Sequence, residues 1–508
     1  MTGNPAAPNS DQLSDEELLR RVRPVDWENP RPKGTYDLAI VGAGPAGLTA
    51  AESAKQLGLS VALIEGNRLG GNSLNAGSVP SKILVHAAAL RAVLREAEEF
   101  CVSSPDELRV DFAAVMARIR RMRTRIAEYH SVDRLRHAGI DIYFGKAQFT
   151  TPDALIVGDA RLRFKKALIA TGAYPRPPNI PGIEEVGYRT SANIFNATDL
   201  PKRLAIVGGG PLGCELAQAF CRLGSEVTIV QNDPKFLPRE ERDAAELLSW
   251  SMARDGVIIR LNTTVIGAHM DSGVKMLDTI DYQAKGVVPA DEILVSIGRV
   301  PHVEKLCLER AGIAYDREDG VKVDDFLRTT NHDVYAAGDV CMSHKFTNVA
   351  EASARMAVHN AFKSEQSGRS HLTIPWCTFC DPEIAHVGLQ VWEARERSIP
   401  VKTFTVMMQD VDRAIIDRQG DGFVKIHVKE GTDKILGATI VASRASEMIN
   451  EMSVVMSAGI GMRDLADVLH IYPAQSEAIR MAAVAYKKDC AGHADHRRHS
   501  SPDGISSK

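Results

Sequence analysis

The glycines of two glycine-rich turns have the spacing in this sequence that most directly indicates a function, the binding of a nucleotide diphosphate. Each turn follows an apolar strand-like run and opens a helix-like run. The glycines are Gly42, Gly44 and Gly47 in the first turn and Gly208, Gly210 and Gly213 in the second. Such glycines allow a tight turn and let a pyrophosphate rest on the N-terminus of the helix. One turn alone is a weak signal, but two in the same context predict two dinucleotide-binding units.

The residue 23 positions beyond the first glycine of each turn is expected to meet an adenosine ribose. This residue is Glu65 in the first unit, and its carboxylate can accept both ribose hydroxyls. The same count gives Gln231 in the second unit, where a neutral amide does not repel a 2′-phosphate. Lys235 and Arg239 lie nearby, but the adjacent residue is Asn232 rather than an arginine. We therefore expect NADPH or NADH at the second unit, with a slight preference for NADPH.

The elements around these turns indicate a chain of several domains. The 508 residues exceed one ordinary core, and 44% apolar with 25% charged residues is typical of a globular protein. A net charge of −4 gives no sign of nucleic-acid binding. We find neither an export signal nor an apolar run long enough for a membrane span. Eight scattered cysteines make no disulfide framework, so we expect a cytoplasmic protein.

The order of the patterns predicts five segments. The first is a flexible arm, in which LSDEELLRRV has helical character, and the last is a disordered tail. Short strands followed by helices after about residue 372 predict a third, α+β domain. The segments are an arm over 1–35, a first nucleotide domain over 36–198 and 324–366, a second over 199–323, a third domain over 367–488 and a tail over 489–508.

Further motifs fall in a fixed order along the chain: GGNSLNAGSVPSK, ALIATGAYP, SIGRVP, VYAAGDV and HIYPAQSEA. Together with the two turns, they resemble the pyridine nucleotide-disulfide oxidoreductases, in particular the mercuric reductase-like branch, over residues 36–488. The resemblance implies an α/β fold with two Rossmann-like dinucleotide-binding domains plus a C-terminal α+β dimerisation domain. It also implies FAD at the first unit, NADPH or NADH at the second, and a homodimer.

The resemblance assigns roles to residues outside the two turns. It implies that Thr171 and Gly172 lie near the flavin nucleotide, and that Asp339 binds the ribityl or phosphate part of FAD. Gly298 of SIGRVP joins the same cofactor-binding set. Lys82 and Glu215 match an ion pair beside the flavin where nicotinamide delivers hydride. A buried ion pair is physically coherent here, because burying either charge alone costs roughly 3–5 kcal/mol.

The resemblance also implies two cysteines where this chain has Ser73 and Ser78. In the family, this pair receives electrons from the flavin as a disulfide and then attacks the substrate as thiolates. A serine hydroxyl does neither. We expect both serines to lie in the site as buried hydroxyls, and each then needs a hydrogen-bond partner. Pro211 replaces the family's tyrosine lid, which leaves the flavin more open.

The C-terminal HIYPAQSEA stretch lacks the family's histidine, because Tyr472 precedes the proline. A serine nucleophile therefore has no evident base, and His470 is displaced by two residues. We expect Tyr472 to donate a hydrogen bond to an acceptor, and Glu477 is retained as an acid beside it. The spacing of Cys377 and Cys380 on a strand predicts packing rather than a disulfide. Cys490 is single and Cys214 is expected to pack, so no metal site is predicted.

These features predict an FAD-dependent NAD(P)H oxidoreductase without a redox disulfide. It would pass electrons directly to a small-molecule acceptor such as a quinone or another flat electrophile. A pyridine nucleotide transhydrogenase, or a specialised biosynthetic flavin oxidoreductase, is the first alternative. A non-catalytic flavin-binding redox sensor is the second. A thiol relay from another cysteine, or an engineered replacement of both cysteines, also stays open.

Overall fold

The computed structural model describes residues 10–103, 109–282 and 284–499, with side chains over 15–491. The outer ends of the predicted arm and tail, 1–9 and 500–508, lie outside the described residues. The chain forms two compact units. The first comprises Met1–Pro234 and Val257–Leu372, and the second comprises Lys235–Gly256 and Thr373–Lys508.

The described helices differ widely in length. They are α1 Ser10–Val22, α2 Pro45–Gln56, α3 Gly71–Asn75, α4 Ser78–Arg95, α5 Phe112–Ala127, α6 Val132–His137, α7 Ile183–Val186, α8 Pro211–Leu223, α9 Arg242–Asp255, α10 Thr347–Phe362, α11 Val391–Glu396, α12 Asp412–Ile416, α13 Ala445–Ser457, α14 Met462–Leu465 and α15 Glu477–His499.

The described strands are mostly short. They are β1 Thr35–Val41, β2 Val61–Glu65, β3 Ile140–Phe144, β4 Ala147–Thr151, β5 Ala154–Val157, β6 Ala160–Ile169, β7 Ala173–Pro175, β8 Arg203–Val207, β9 Glu226–Val230, β10 Ile258–Arg260, β11 Thr263–Asp271, β12 Val274–Asp281, β13 Ala284–Ala290, β14 Glu292–Val295, β15 Arg299–Pro301, β16 Tyr315–Asp316, β17 Gly320–Val321, β18 Val334–Ala336, β19 Pro375–Thr378, β20 Glu383–Gly388, β21 Val401–Met407, β22 Phe423–Lys429 and β23 Ile435–Ala442.

Two mainly parallel sheets carry the glycine-rich turns of the first unit. One has the order β3-β2-β1-β6-β5-β4, with β18 also paired to β6. The other has the order β10-β9-β8-β14 and is parallel throughout. Strands β1 and β8 are apolar runs buried at their carboxyl ends, as expected for central parallel strands. Each of these strands leads through a glycine turn into its helix, α2 or α8, so both turns lie at the carboxyl end of a sheet.

The first helix, α1, lies inside the segment that was predicted to be a flexible arm. Leu18 and Val22 on this helix are buried, and the Val22 carbonyl accepts a hydrogen bond from Leu69 N at 3.0 Å. Arg21 Nη1 also donates to the Thr124 carbonyl of α5 at 2.7 Å. The difference arises because these two apolar side chains, four residues apart, form a narrow stripe in an otherwise polar helix. This segment is therefore part of the first unit.

The second unit is built on the antiparallel sheet β19-β20-β23-β22-β21. Helices α13 and α15 contribute to its core through Met448, Met452, Ile479 and Ala482. Helix α9 also belongs to this unit, although its sequence lies within the predicted second nucleotide domain. Helix α15 continues to His499, so residues 489–499 of the predicted tail are helical. The predicted domain boundaries stay a prediction.

Helix length and hydropathy bear on the predicted absence of a membrane span. In the ranges that the structure describes, no helix is both long and apolar enough to cross a membrane.

Candidate active site

The first glycine turn has the backbone geometry of a phosphate cradle. Gly42 has φ +107°, and a Cβ there would lie 2.3 Å from the Ala170 carbonyl oxygen. A Cβ on Gly47 would lie 1.8 Å from the Gly42 oxygen, so turn and helix pack too closely for any side chain. Gly44 is the N-cap of α2 and no side chain caps this helix end, which leaves its N–H groups available to an anion.

Glu65 lies at the end of β2, beside this turn. Its Oε2 accepts a hydrogen bond from Ala43 N and its Oε1 accepts one from Asn67 N, both at 2.7 Å. Burial raises the pKa of Glu65, and these backbone donors act in the opposite direction. A carboxylate offers about four acceptor sites, so lone pairs are left for the hydroxyls of a ribose. The residues of this turn therefore fit the adenosine and diphosphate parts of FAD.

The second glycine turn has the same geometry as the first, but the side chain that accepts from its backbone is a neutral glutamine instead of a glutamate. Gln231 Oε1 accepts from Gly209 N at 2.7 Å, as Glu65 does from Ala43. Gly208 has φ +102°, and a Cβ on it would lie 2.5 Å from the Ser296 oxygen. A Cβ on Gly210 would meet nothing within 4 Å, so the approach to α8 is open. A Cβ on Gly213 would lie 2.4 Å from the Gly208 oxygen, and the turn fits a nucleotide diphosphate in the same way.

The ATG turn after β6 is joined to the loop after β15. Thr171 Oγ1 donates to the His302 carbonyl at 2.7 Å, and His302 N donates to the Gly172 carbonyl at 2.8 Å. The Gly298 carbonyl accepts from Arg176 N at 2.9 Å. These bonds hold together two of the predicted cofactor-binding turns, those of Thr171–Gly172 and of Gly298.

Asp339 forms an ion pair that the sequence analysis missed. Its Oδ2 lies 2.5 Å from Arg299 Nη1, while Arg299 Nη2 donates to the Ala173 carbonyl at 3.0 Å. Asn72 of the serine-containing stretch donates to the same carbonyl at 2.7 Å. Both residues could have been found from the sequence by their neighbours. Arg299 directly follows the predicted site residue Gly298, and Asn72 directly precedes the predicted site residue Ser73.

Lys82 and Glu215, 133 residues apart in sequence, form an ion pair between α4 and α8. The distance from Lys82 Nζ to Glu215 Oε2 is 2.7 Å. The Glu215 side chain is 3% exposed and that of Lys82 is 34% exposed. The carboxylate is thus enclosed, while part of the lysine faces a cleft. The pairing agrees with the sequence prediction, whereas the catalytic role of the pair stays a prediction.

Ser73 and Ser78 line two different cavities. Ser73, on α3, is half-buried and lies 3.1 Å from the Thr347 hydroxyl at the start of α10, a partner that the sequence analysis missed. Its cavity, about 370 Å³, extends along α2 from Pro45. Ser78 is exposed at the start of α4, which corrects the expectation of two buried hydroxyls. Ser78 is exposed because it lies in the first turn of α4, on the side that faces solvent.

The second cavity, here called the Lys82 cleft, has a volume of about 420 Å³. It includes Ser78, Lys82, Ile83, His86, Arg118 and Ile126, from α4 and α5. His86 and Arg118 were not among the predicted site residues. No motif marks them, because their position in the cleft depends on how the two helices pack.

The predicted C-terminal residues lie in the second unit. Tyr472 is 65% exposed, and its hydroxyl donates to Asp412 Oδ2 at 2.8 Å, an interaction that raises the pKa of the tyrosine. Glu477 begins α15 and accepts from Arg480 Nη2 at 2.8 Å. The imidazole of His470 is nearly buried, with Nε2 2.6 Å from Glu451 Oε1. This histidine is engaged locally rather than presented as a base.

All eight cysteines lie among the described residues, and none of them forms a disulfide there. Cys214 and Cys221 both lie on α8. Burial raises the pKa of the Cys214 thiol. Cys377 lies on β19 and Cys380 follows it in the next loop. No cluster of His, Cys, Asp and Glu that could hold a metal ion occurs among the residues that the structure describes.

Comparison with known proteins identifies the family. Residues 36–363 match Pyridine nucleotide-disulphide oxidoreductase, and residues 374–483 match the dimerisation domain of that family. A mercuric reductase of Staphylococcus aureus is 31% identical over 490 residues, which cover 95% of this chain and 88% of the relative.

Two solved structures extend the comparison. The Cu(II) complex of the HOCl-induced flavoprotein disulfide reductase RclA from Escherichia coli is 29% identical with a TM-score of 0.78, covering 89% of this chain and 99% of that one. LpdA from Mycobacterium tuberculosis is 28% identical with a TM-score of 0.82; 88% of this chain and 99% of that one are covered.

These matches confirm the predicted fold class, with its nucleotide-binding sheets and C-terminal dimerisation domain. The family consists of FAD-dependent oxidoreductases with NAD(P)H as electron donor, which confirms the predicted cofactors. The chain belongs to the pyridine nucleotide-disulphide oxidoreductase family.

Proposed function

We propose that this enzyme passes electrons from NAD(P)H, through FAD, directly to a small acceptor such as a quinone, without a cysteine pair as relay. The overall reaction converts NAD(P)H, a proton and a quinone into NAD(P)⁺ and a hydroquinone, so electrons and protons balance. Bound FAD would supply the hydride-accepting and electron-donating chemistry. The observation that carries the proposal is serine at positions 73 and 78, beside an intact Lys82–Glu215 ion pair.

The chain's own residues support two nucleotide sites. Gly42, Gly44 and Gly47 would hold the FAD diphosphate at the N-terminus of α2, and Glu65 would bind the ribose. The Arg299–Asp339 ion pair limits the positions that the Asp339 carboxylate can adopt toward the same cofactor. At the second turn, the neutral amide of Gln231 leaves room for either NADH or NADPH.

The Lys82–Glu215 pair supports hydride entry. An enclosed carboxylate holds the lysine ammonium in one place, so the positive charge is oriented before any substrate arrives. Such an oriented cation would stabilise negative charge that develops on the flavin as hydride is delivered. Tyr472 and Glu477 are proposed to line the acceptor side in a homodimer, a state that the dimerisation-domain match supports.

The cysteines of this chain offer a poor substitute for a disulfide. Cys214 and Cys221 are seven residues apart on one helix, which separates their Cα atoms by about 10.5 Å, beyond the limit of roughly 7 Å for a disulfide. The raised pKa of Cys214 also disfavours its thiolate. Relatives named as mercuric and disulfide reductases keep the thiol relay as the alternative that needs testing. Free cysteines throughout support a cytoplasmic enzyme.

Anaerobic titration of the FAD-loaded enzyme with NADPH, and separately with NADH, tests the proposal. A single equivalent per flavin is expected to complete the reduction, with no thiolate–flavin charge-transfer band, because serine stores no electrons. Added quinone should then restore the oxidised flavin spectrum. Uptake of a second equivalent, or failure of quinone to reoxidise the enzyme, would overturn the proposal.

Two variants sharpen this titration. Cys214→Ser with Cys221→Ser should leave the stoichiometry unchanged, since neither thiol takes part. Ser73→Cys with Ser78→Cys should add a second equivalent and the missing absorption band, since it rebuilds the family's pair. A Cys214/Cys221 variant that loses an equivalent would instead identify these two thiols as the relay.

A further inference from the structure

We propose that the Lys82 cleft selects acceptors that combine a flat apolar body with a negatively charged group, such as sulfonated or carboxylated naphthoquinones. This inference rests on the proposed function and names the substrate class of the same site. It is drawn from the shape of the cleft and from the charge of the two helices that form it.

The walls of the cleft suit an apolar ring system. Val79 and Ile83 of α4 face the cleft together with Ile126 of α5, and all three side chains are half-buried. The cleft volume of about 420 Å³ falls within the range of roughly 300–1,000 Å³ that is usual for small-molecule sites. Ser78 and Lys82 both lie in this cleft, so an acceptor bound there after the nicotinamide has left would be beside the serine position and beside the ion pair proposed to serve hydride entry.

The charged side chains that line the cleft are Lys82 and Arg118, no acidic residue is among its lining residues, and the two helices that form it are rich in positive charge. Helix α4 carries Lys82, Arg91 and Arg95, helix α5 carries five arginines, and neither helix contains an aspartate or glutamate. This concentration of positive charge occurs in a chain whose net charge is −4. Lining a cleft with one sign of charge raises the local concentration of ligands of the opposite sign.

Arg118 is the residue best placed to bind the anionic group. It is exposed and lines the cleft, and within the described part of the chain no acidic side chain pairs with it. The lysine of the lining, Lys82, is already engaged by Glu215. A guanidinium presents a planar fork of donors that matches a carboxylate or sulfonate with two hydrogen bonds.

Equilibrium binding to the FAD-loaded enzyme tests this selection without turnover. Naphthalene-2-sulfonate and naphthalene-2-sulfonamide have the same shape and differ in charge. We expect the sulfonate to bind about fivefold more tightly, and this preference to fall as salt is added. Arg118→Gln should abolish the preference. Arg121→Gln removes the same charge from an exposed position of α5 that does not line the cleft. This variant should keep most of the preference for the sulfonate.

Turnover with 1,4-naphthoquinone and its 2-sulfonate separates this inference from the proposed function. A lower KM for the sulfonate that rises in Arg118→Gln, with the neutral quinone unaffected, supports the inference. Equal binding of the two naphthalenes, absence of binding, or equal effects of the two arginine variants would overturn it, even if both quinones are reduced. Preferential sulfonate binding with no quinone reduction would keep the anion selection and reject the proposed function.

Discussion

At the residue scale, the ion pair between Lys82 and Glu215 joins stability to the proposed chemistry. Removing the lysine takes this ion pair from a carboxylate that is 3% exposed. Because the lysine is 34% exposed, the loss is moderated by water, and we estimate about 1–3 kcal/mol. The same change would remove the cation proposed to stand beside the flavin.

Lys82→Met is therefore expected to lower both thermal stability and the rate of flavin reduction by NADPH. Stopped-flow absorbance should show a decrease of about tenfold or more, the size expected when one preorganised charge is lost. Adding Glu215→Gln should raise the melting temperature again because the buried negative charge is removed together with the positive one, while the rate stays low. Recovery of the rate together with stability would mean that the pair is purely structural.

Glu240, in the second unit, is a buried acid of a different kind. Trp376 Nε1 donates to its Oε1 at 3.2 Å, and its Oε2 has no hydrogen-bond partner among the described residues. Burial raises the pKa of Glu240 to about 7. The raised folded-state pKa means that this residue's contribution to stability is fully present below pH 4.5 and is lost as pH rises through about 7.

Glu240→Gln should remove this pH dependence. The stability of the variant relative to the parent should be about 2 kcal/mol greater at pH 8 than at pH 5. Denaturant unfolding at both pH values measures the effect. Glu246→Gln removes a carboxylate from an exposed position of α9 and should follow the parent at both pH values. A Glu240→Gln variant whose stability follows that of the parent at both pH values would contradict this prediction.

At the element scale, α1 and the loop before α3 are held together. The carbonyl of Val22 binds Leu69 N, and Leu69 directly precedes the glycines that lead into α3. Arg123 of α5 extends this connection, because its Nη1 donates to the Asn75 carbonyl and its Nη2 lies 3.9 Å from Asp15. Helix α1 thus supports the stretch that carries Ser73.

Leu18→Ala should destabilise the enzyme by about 2–4 kcal/mol, since it opens a cavity at a side chain that is 1% exposed. Weaker retention of FAD should accompany the change, because the α3 loop loses its support. Thermal melting and flavin release on gel filtration measure the two effects. Glu16→Ala, at an exposed position of the same helix, is the matched control. Equal behaviour of the two variants would show that α1 is only loosely attached.

The sequence predicts most directly the backbone geometry that is local to a turn, while the cofactor-binding roles of these residues stay predictions. Gly42, Gly208 and Glu65 could be predicted because backbone sterics and a fixed spacing determine their positions. The contact between His427 and Glu241, 186 residues apart, left no such pattern. Burial alone would raise the pKa of Glu241, but His427 and Lys425 lower it to about 2. Long-range packing created this pair, as it created the Lys82 cleft.

At the scale of the whole molecule, an exposed apolar stretch precedes Tyr472. Leu469 is 96% exposed and Ile471 is 79% exposed in the single chain. Exposed apolar side chains this close together are typical of interaction surfaces. This stretch follows α14 and leads into α15, within the residues that match the dimerisation domain. In the proposed homodimer, these side chains would be buried in the interface between the two subunits.

The two serines and Gln231 differ in the number of mutations that would change their chemistry. A glutamine codon becomes a glutamate codon by a single base change, so nucleotide preference at the second turn is a short mutational step away. A disulfide in this loop requires both Ser73 and Ser78 to change, because one cysteine alone forms no disulfide within the loop. Under the proposed function, one mutation is therefore enough to change the charge that meets the electron donor, whereas a thiol relay in this loop needs two.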